Sequence, residues 1–273
     1  MSKIKGGLRM AIQSWKTFLL PYEQAVEELK VKLKSLRKEY RKRNEYSPIE
    51  FVTGRVKEVS SLLEKANKFG IPLDRVAQEM EDIAGIRIMC QFVDDIDKVV
   101  ELLRARKDMQ ILYEKDYVRN VKASGYRSYH VIIKYLVNMA DGPKEILAEF
   151  QIRTLAMNFW ATTEHSLNYK YKQHIPDEIK VKLKRAADAA FDLDEQMLEI
   201  KDEIKDAQKL FEVKSDIISN IMNNILILMS SGKVAEASRY QVALNRLIEE
   251  GEVYELSNLL AMIKKDIEKY KDN

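Results

Sequence analysis

The sequence predicts an α+β protein in which a small mixed β-sheet is flanked by helices and followed by a helical tail. Apolar residues recur at helical spacing before residue 43 and again from Thr154 to the end. Between these regions, four short runs rich in β-branched and aromatic residues alternate partly with a period of two. Only nine glycines and five prolines occur in 273 residues, so the connections are expected to be short.

Helices are expected to precede the first strand. One or two amphipathic helices cover Gln13 to about Arg43, with Pro21 marking a helix start. A second helical segment is expected at Pro48–Phe69 and a third, short one at Leu73–Met80.

The middle of the chain supplies the sheet. The expected strands are Ala84–Phe92, Ile111–Arg119, Ser128–Val137 and Glu145–Arg153. A helix at Asp95–Arg106 joins the first two, and the later helical region is broken near Pro176, Gly232 and Gly251. We therefore divide the chain into N-terminal helices at 1–46, a core at 47–175 in which we expect the functional site, and a helical region at 176–273 that we expect to serve oligomerisation.

Composition indicates the cellular compartment in which the protein is expected. The single cysteine, Cys90, lies in an apolar run and excludes a disulfide framework, which favours a reducing cytoplasm. The first twenty residues lack the pattern of a signal peptide, and the apolar stretch 217–229 is too short and too polar to cross a membrane. A net charge of +3 does not by itself indicate nucleic-acid binding.

Two acidic residues are candidate metal ligands. In the run from Leu147, strand geometry places Glu149, Gln151 and Arg153 on one face, opposite apolar residues. Asp82 lies at the mouth of another expected strand, so Asp82 and Glu149 together suit a Mg²⁺ that shares ligands with phosphates. A solvated outer face and a turn-forming Asp are the competing interpretations.

Two further clusters carry polar and cationic groups. Lys122, Tyr126 and His130 recur at four-residue intervals and combine a phosphate contact, a stacking ring and a polar anchor. A second cluster, spread over the expected helix at Pro48–Phe69, offers three cations for a triphosphate, although a solvated helix remains the alternative. Its members are Arg55, Lys57, Ser61 and Lys65.

The order and spacing of four motifs resemble the synthetase motifs of the RelA/SpoT homologues, in particular the stand-alone small alarmone synthetases. These motifs are Arg55-Val56-Lys57, Asp82-Ile83-Ala84-Gly85-Ile86-Arg87, Gly125-Tyr126-Arg127-Ser128-Tyr129-His130 and Glu149-Phe150-Gln151-Ile152-Arg153-Thr154. The similarity extends from about residue 15 to residue 211.

This resemblance implies a nucleotidyltransferase-like fold and the transfer of the β,γ-diphosphate of ATP to the 3′-hydroxyl of GDP or GTP, with Mg²⁺. Glu149 is then the carboxylate beside the acceptor hydroxyl, and Asp82 the principal metal ligand, joined by Glu149. The residues implied to bind ATP are Arg55, Lys57, Ser61, Lys65 and Arg87. Those implied to bind GDP or GTP are Lys122, Tyr126, His130, Gln151 and Asn158.

The resemblance also implies regulation and assembly. Lys30, Lys34, Phe51 and Thr53 match an allosteric guanine-nucleotide site between subunits, so we expect a homo-oligomer, a tetramer, that responds to (p)ppGpp or to single-stranded RNA. None of the three histidines is followed by Asp, so the hydrolase site of bifunctional relatives is not expected.

Two non-catalytic alternatives stay open at this point. A basic stretch between Lys30 and Arg43 is compatible with an RNA-binding regulator. The helical region after Pro176 is compatible with a scaffold, although a scaffold does not explain the polar faces of the expected strands.

Overall fold

The computed structural model describes the backbone of residues 2–170 and 176–271, and the side chains of 15–167, 176–248 and 251–269. The helices are α1 (Ser2–Lys42), α2 (Val59–Phe69), a 3-10 turn (Leu73–Arg75), α3 (Val76–Glu79), α4 (Asp94–Arg104), α5 (Leu155–Lys170), α6 (Asp177–Ser230), α7 (Val234–Glu250) and α8 (Val253–Lys271). The strands are β1 (Phe51–Val56), β2 (Ala84–Cys90), β3 (Gln110–Asp116), β4 (Tyr129–Met139) and β5 (Gly142–Thr154).

The five strands form one mixed sheet in the order β1-β2-β5-β4-β3. β2 and β5 pair in parallel, and the other neighbours are antiparallel. The predicted fold class is therefore confirmed, and the four predicted strands correspond to β2, β3, β4 and β5.

The expectation of a helix from Pro48 to Phe69 is wrong in its first half, where β1 occupies Phe51–Val56. β1 is amphipathic with a period of two, and it completes the edge of the sheet by pairing with β2. Gly54 is a poor helix former, and here it allows α1 to approach, because a Cβ would lie 2.7 Å from Val26 Cγ1. The first strand thus precedes α2 and α3.

Pro21 lies inside α1 and does not mark a helix start. The helix continues through it because its apolar face packs against the sheet, which outweighs the hydrogen bond that proline removes. The buried residues of that face include Tyr22, Val26, Leu29 and Leu33.

The predicted alternation of β5 is confirmed. Ala148, Phe150 and Ile152 are fully buried in the main core, which places Glu149 and Gln151 on the opposite face. In the register, Glu149 lies beside Gly85 of β2 and Gln151 lies between Arg87 of β2 and His130 of β4.

The chain forms two compact units, Met1–Leu198 and Glu199–Asn273. The second unit has its own apolar core, which includes Ile221, Ile225, Leu244, Leu256 and Ile263. The predicted breaks near Gly232 and Gly251 are confirmed, since α7 lies between them. The three-part functional division at residues 46 and 175 stays a prediction.

Within the described part of the chain, every helix lacks the combination of length and apolar character that crossing a membrane requires.

The junction of β5 and α5 is held by a buried side-chain pair. Thr154 Oγ1 accepts a hydrogen bond from the backbone N–H of Met157 at 3.1 Å, which caps the first turn of α5. The same hydroxyl donates to Asp194 Oδ2 of α6 at 2.5 Å. Burial raises the pKa of Asp194 to about 6, against the opposing effect of the Thr154 hydrogen bond.

We predict that Asp194→Asn makes stability less dependent on pH. A carboxyl whose pKa is raised by folding stabilises the folded state below its ordinary pKa of 3.8, and this contribution is lost as the pH rises to about 6. The variant keeps the acceptor for Thr154 without the charge. Its free energy of unfolding, relative to wild type, should therefore increase by about 2 kcal/mol from pH 4 to pH 7.

Urea unfolding followed by tryptophan fluorescence measures this difference, because Trp15 and Trp160 both lie in the first unit. Asp192→Asn on the same helix is the control, since Asp192 is exposed. A constant difference across the pH range would show that Asp194 is ionised in the folded state without cost.

Candidate active site

The site lies where the parallel strands β2 and β5 place their polar side chains on one side of the sheet. Asp82 lies two residues before β2, and Glu149 lies in β5 opposite Gly85. The side chain of Glu149 is 12 % exposed and that of Asp82 is 22 % exposed. Both carboxylates are therefore largely removed from water and need partners in the protein.

Glu149 is held as a carboxylate by two neighbours. His130 Nδ1 lies 2.7 Å from Glu149 Oε1, and Gln151 Nε2 donates to Glu149 Oε2 at 2.7 Å. Burial raises the pKa of Glu149, and the charge of Asp82 acts in the same direction, but the hydrogen bonds from His130 and Gln151 outweigh both. The pKa of Glu149 is lowered, so the group is ionised at neutral pH and able to accept a proton.

A chain of hydrogen bonds fixes the orientation of His130. Arg153 Nη2 donates to Tyr126 Oη at 2.6 Å, and Tyr126 Oη lies 2.8 Å from His130 Nε2. Because arginine only donates, the tyrosine hydroxyl is free to donate to Nε2, which leaves the Nδ1 proton for Glu149. Arg153 also donates to Gln151 Oε1 at 2.8 Å, so it supports both partners of Glu149.

Asp82 is ion-paired with two lysines. Lys57 Nζ lies 2.7 Å from Asp82 Oδ2, and Lys65 Nζ lies 2.9 Å from Asp82 Oδ1. Burial raises the pKa of Asp82, but the hydrogen bonds and charges of Lys57 and Lys65 lower it further than burial raises it. The predicted acidic ligand and two of the predicted phosphate-binding cations therefore lie together.

Two cavities adjoin this group. The larger has a volume of about 900 Å³ and is lined by Arg55, Lys57, Ser61 and Lys65, together with Thr162 and His165 of α5. The smaller, of about 290 Å³, is lined by Arg55, Arg87, Tyr126 and Arg153 among others. All five residues expected to bind ATP thus line one cavity or both.

The pKa of Arg87 is lowered by burial and by the positive charges of Arg153 and Arg55. Like charges held this closely favour an anion between them.

The predicted guanine-nucleotide residues are brought together, with one exception. Lys122 Nζ lies 4.2 Å from the ring centre of Tyr117 and 5.0 Å from that of Tyr126, in a cation–π arrangement. The rings of Tyr126 and His130 pack edge to face. His130 in turn contacts Glu149. Asn158 lies on α5, and its Oδ1 is buried without a hydrogen-bond partner among the described residues, so the structure does not join it to this group.

Sequence reasoning missed three contributors. Arg153 was placed on the polar face of β5 but was given no role, although its position on the same face as Glu149 was a usable signal. His165 lies within the region of resemblance but is assigned no role by it, and Tyr117 has no sequence signal, because only the fold brings these residues to the larger cavity and to Lys122.

The donor set permits Mg²⁺ only with help from a substrate. Among the described residues, no group of three or more His, Cys, Asp and Glu side chains is placed to hold a metal ion. Asp82 and Glu149 supply carboxylate oxygens at the cationic cleft, and Mg²⁺ commonly takes one or two carboxylates and completes its shell with phosphates and water. The residues present therefore fit a metal that arrives with a nucleotide.

A buried ionised carboxylate beside clustered arginines, lysines and aromatic rings defines the class of the protein. Cations bind and neutralise phosphate groups, rings stack on bases, and the carboxylate accepts a proton. The site is that of an enzyme acting on phosphorylated nucleotides.

Comparison with known proteins agrees with this class. Residues 54–174 match the family described as "Region found in RelA / SpoT proteins". The chain is 56% identical to the GTP pyrophosphokinase YjbM of Bacillus subtilis, over 74% of this chain and 95% of that protein. It is 39% identical to the GTP pyrophosphokinase YwaC of the same organism, over 72% and 95%.

Among solved structures, the small alarmone synthetase 1 from Bacillus subtilis, bound to its product pppGpp, superposes with a TM-score of 0.68 at 57% identity, covering 70% of this chain and 98% of that one. The chain belongs to the RelA/SpoT family, in its small alarmone synthetase group. The resemblance seen in the four sequence motifs is confirmed, and the two non-catalytic alternatives are not favoured.

Proposed function

We propose that this protein transfers the β,γ-diphosphate of ATP to the 3′-hydroxyl of GDP or GTP, releasing AMP and ppGpp or pppGpp. The observation that carries the proposal is Glu149, a largely buried carboxylate kept ionised by His130 and Gln151 beside a cationic cavity large enough for a nucleotide. The similarity to proteins named as GTP pyrophosphokinases supports it.

The larger cavity, which would hold the donor ATP, has the charge to bind a polyphosphate. Lys57, Ser61 and Lys65 line the larger cavity and would contact the phosphates of ATP. Arg55 and Arg87 both line the smaller cavity and would hold the adenine ring between their guanidinium planes. Alignment of donor and acceptor, together with charge neutralisation, supplies most of the catalysis in phosphoryl-type transfer.

The acceptor side is the aromatic group around Glu149. Tyr126 would stack on guanine, while Lys122, His130, Gln151 and Asn158 contribute polar contacts to the nucleotide. Glu149 would accept the proton of the 3′-hydroxyl as that oxygen attacks, a contribution of about 10² to 10⁴ in rate. His130 would then stabilise the changing charge on Glu149 through the 2.7 Å contact at Nδ1.

Asp82 and Glu149 would hold Mg²⁺ together with the nucleotide phosphates. The metal, when bound, supplies positive charge that stabilises the transferring diphosphate. Lys57 and Lys65 keep Asp82 ionised, which is the state a metal ligand requires. We place the reaction in the cytoplasm and expect no hydrolysis of the alarmone.

We also propose a regulatory nucleotide site in a homotetramer, formed by Lys30, Lys34, Phe51 and Thr53. Phe51 and Thr53 are exposed on the edge strand β1, where Phe51 is 39 % exposed and its ring is suited to stacking. The stem of Lys30 packs beside Gly54 of the same strand, and Lys34 is exposed one helical turn later. Either (p)ppGpp or single-stranded RNA fits the charge of this surface.

Product analysis tests the proposed reaction. With ATP, Mg²⁺ and GDP or GTP, we expect AMP and ppGpp or pppGpp in equal amounts, because both terminal phosphates of ATP move together. Anion-exchange chromatography resolves these nucleotides. ADP as the main product of ATP would indicate transfer of a single phosphate and would contradict the proposal.

The regulatory proposal predicts that a Lys30→Ala, Lys34→Ala double variant loses the response of the initial rate to added pppGpp, while its basal rate stays within about twofold of wild type. Initial rates at increasing pppGpp test this, with Lys38→Ala, an exposed lysine of the same helix, as the control. Light scattering gives the mass in solution. A monomeric protein, or an unchanged response in the double variant, would show that these lysines form only a solvated face.

A further inference from the structure

The segment between β3 and β4 carries Lys122 and Tyr126, and it packs against α6. Tyr126 packs against a buried cluster of Trp160 and Ala161 of α5 and Ala187 of α6. We infer that the part of α6 from Leu183 to Phe191 is a positioning element for the guanine-nucleotide side of the site, with Arg127 and Asp188 as its positioning residues. The inference rests on the proposed function for the identity of that nucleotide.

Arg127 makes the central contact. Its Nη2 donates to Asp188 Oδ1 at 3.2 Å, and its Nη1 lies 3.4 Å from the carbonyl oxygens of Ala187 and Gly125. The guanidinium carbon lies 4.4 Å from the ring centre of Phe191. One side chain therefore joins the backbone on either side of Tyr126 to Ala187, Asp188 and Phe191 on α6.

Gly125 shows how closely the segment approaches the helix. It has a φ of +88°, and a Cβ at this position would lie 2.6 Å from the Cβ of Ala187. Both the left-handed backbone and the contact exclude a larger residue here. The glycine before Tyr126 is thus required by the packing on α6 as well as by the turn.

The same part of α6 also contacts α5, which lines both nucleotide cavities. Trp160 Nε1 donates to the carbonyl oxygen of Leu183 at 2.8 Å, next to the cluster that includes Tyr126. Residues of α5 that line the cavities, including Thr162 and His165, follow directly after Trp160 and Ala161. The acceptor aromatic segment and this helix therefore share one support on α6.

The contacts with α6 limit the freedom of Arg127. Arg127 also lines a cavity of about 460 Å³ together with Val93, Ile96 and Val118 and with Phe191 and Leu198 of α6. Space is therefore available for Arg127 and the adjoining backbone to shift when the α6 contacts are removed. A shift of about 1 Å in Tyr126 would misplace the ring for stacking, and misplacements of that size can cost up to about 10²-fold in rate.

The two positioning residues differ in burial, which predicts graded effects. The side chain of Arg127 is 12 % exposed and that of Asp188 is 46 % exposed. We expect Asp188→Ala to raise the KM for GDP or GTP by about threefold to tenfold and Arg127→Ala by more, because an exposed ion pair contributes less than a buried, stacked guanidinium. The KM for ATP should change by less than about twofold in Asp188→Ala.

The experiment is steady-state kinetics for both substrates, together with equilibrium titration of GDP, on wild type, Asp188→Ala, Asp188→Glu and Asp192→Ala. Asp192 is the matched control, because it is exposed on the same helix four residues after Asp188. Asp188→Glu keeps the acceptor for Arg127 and should restore most of the affinity for GDP. Circular dichroism shows whether the Arg127→Ala variant folds, and the exposed Asp188 variants give the test if it does not.

A selective loss of guanine-nucleotide affinity in Asp188→Ala, recovered in Asp188→Glu, supports the inference. Equal effects on both substrates, or an Asp188→Ala variant that behaves like Asp192→Ala, would overturn it. The GDP titration separates this result from the proposed function, since affinity for GDP is measured without turnover. A wild type that binds GDP but transfers no diphosphate would contradict the proposed reaction alone.

Discussion

The parallel pairing of β2 with β5 is the constraint on which the rest of the site depends. Glu149 lies beside Gly85 and Gln151 beside Arg87, so the polar faces of both strands meet on one side of the sheet. A slip of one residue would exchange these faces and bury Glu149 in the apolar core. The fully buried Ala148, Phe150 and Ile152 oppose such a slip, because each would lose its place in the core. Core packing therefore fixes the positions of Glu149 and Gln151 in the site.

Two carboxylates remain ionised in this partly buried cleft because each has its own partners. Glu149 contacts His130 and Gln151, while Asp82 is paired with Lys57 and Lys65. Burial alone would raise the pKa of both groups, and the charge of Asp82 raises the pKa of Glu149 further. A nucleotide that draws Lys57 and Lys65 toward its phosphates would leave Asp82 in need of another cation, which is the role proposed for Mg²⁺.

The sequence predicted the strands and the polar face of β5 because a buried strand imposes a strict period of two on its side chains. It failed at β1, where six residues were assigned to a helix, because six residues are too few to separate a strand from a helix by periodicity, and the partner strand β2 lies distant in the sequence. The prediction that Pro21 marks a helix start was also wrong, because the packing of α1 outweighs the preference of proline for the first turn of a helix. The roles of Arg153, Arg127 and Asp188 depend on the contact of Arg153 with Tyr126, 27 residues away, and on that of Arg127 with Asp188, 61 residues away, which periodicity does not encode.

The central claim is that Glu149 accepts the proton of the attacking hydroxyl, and single-turnover kinetics of Glu149→Gln tests it most directly. The amide keeps the shape of the side chain and removes the base. We predict a rate of diphosphate transfer at least about 10²-fold below wild type, with GDP and ATP still bound. Glu145→Gln, an exposed position on the same strand, should react at the wild-type rate. Transfer by Glu149→Gln at a rate close to wild type would contradict the account.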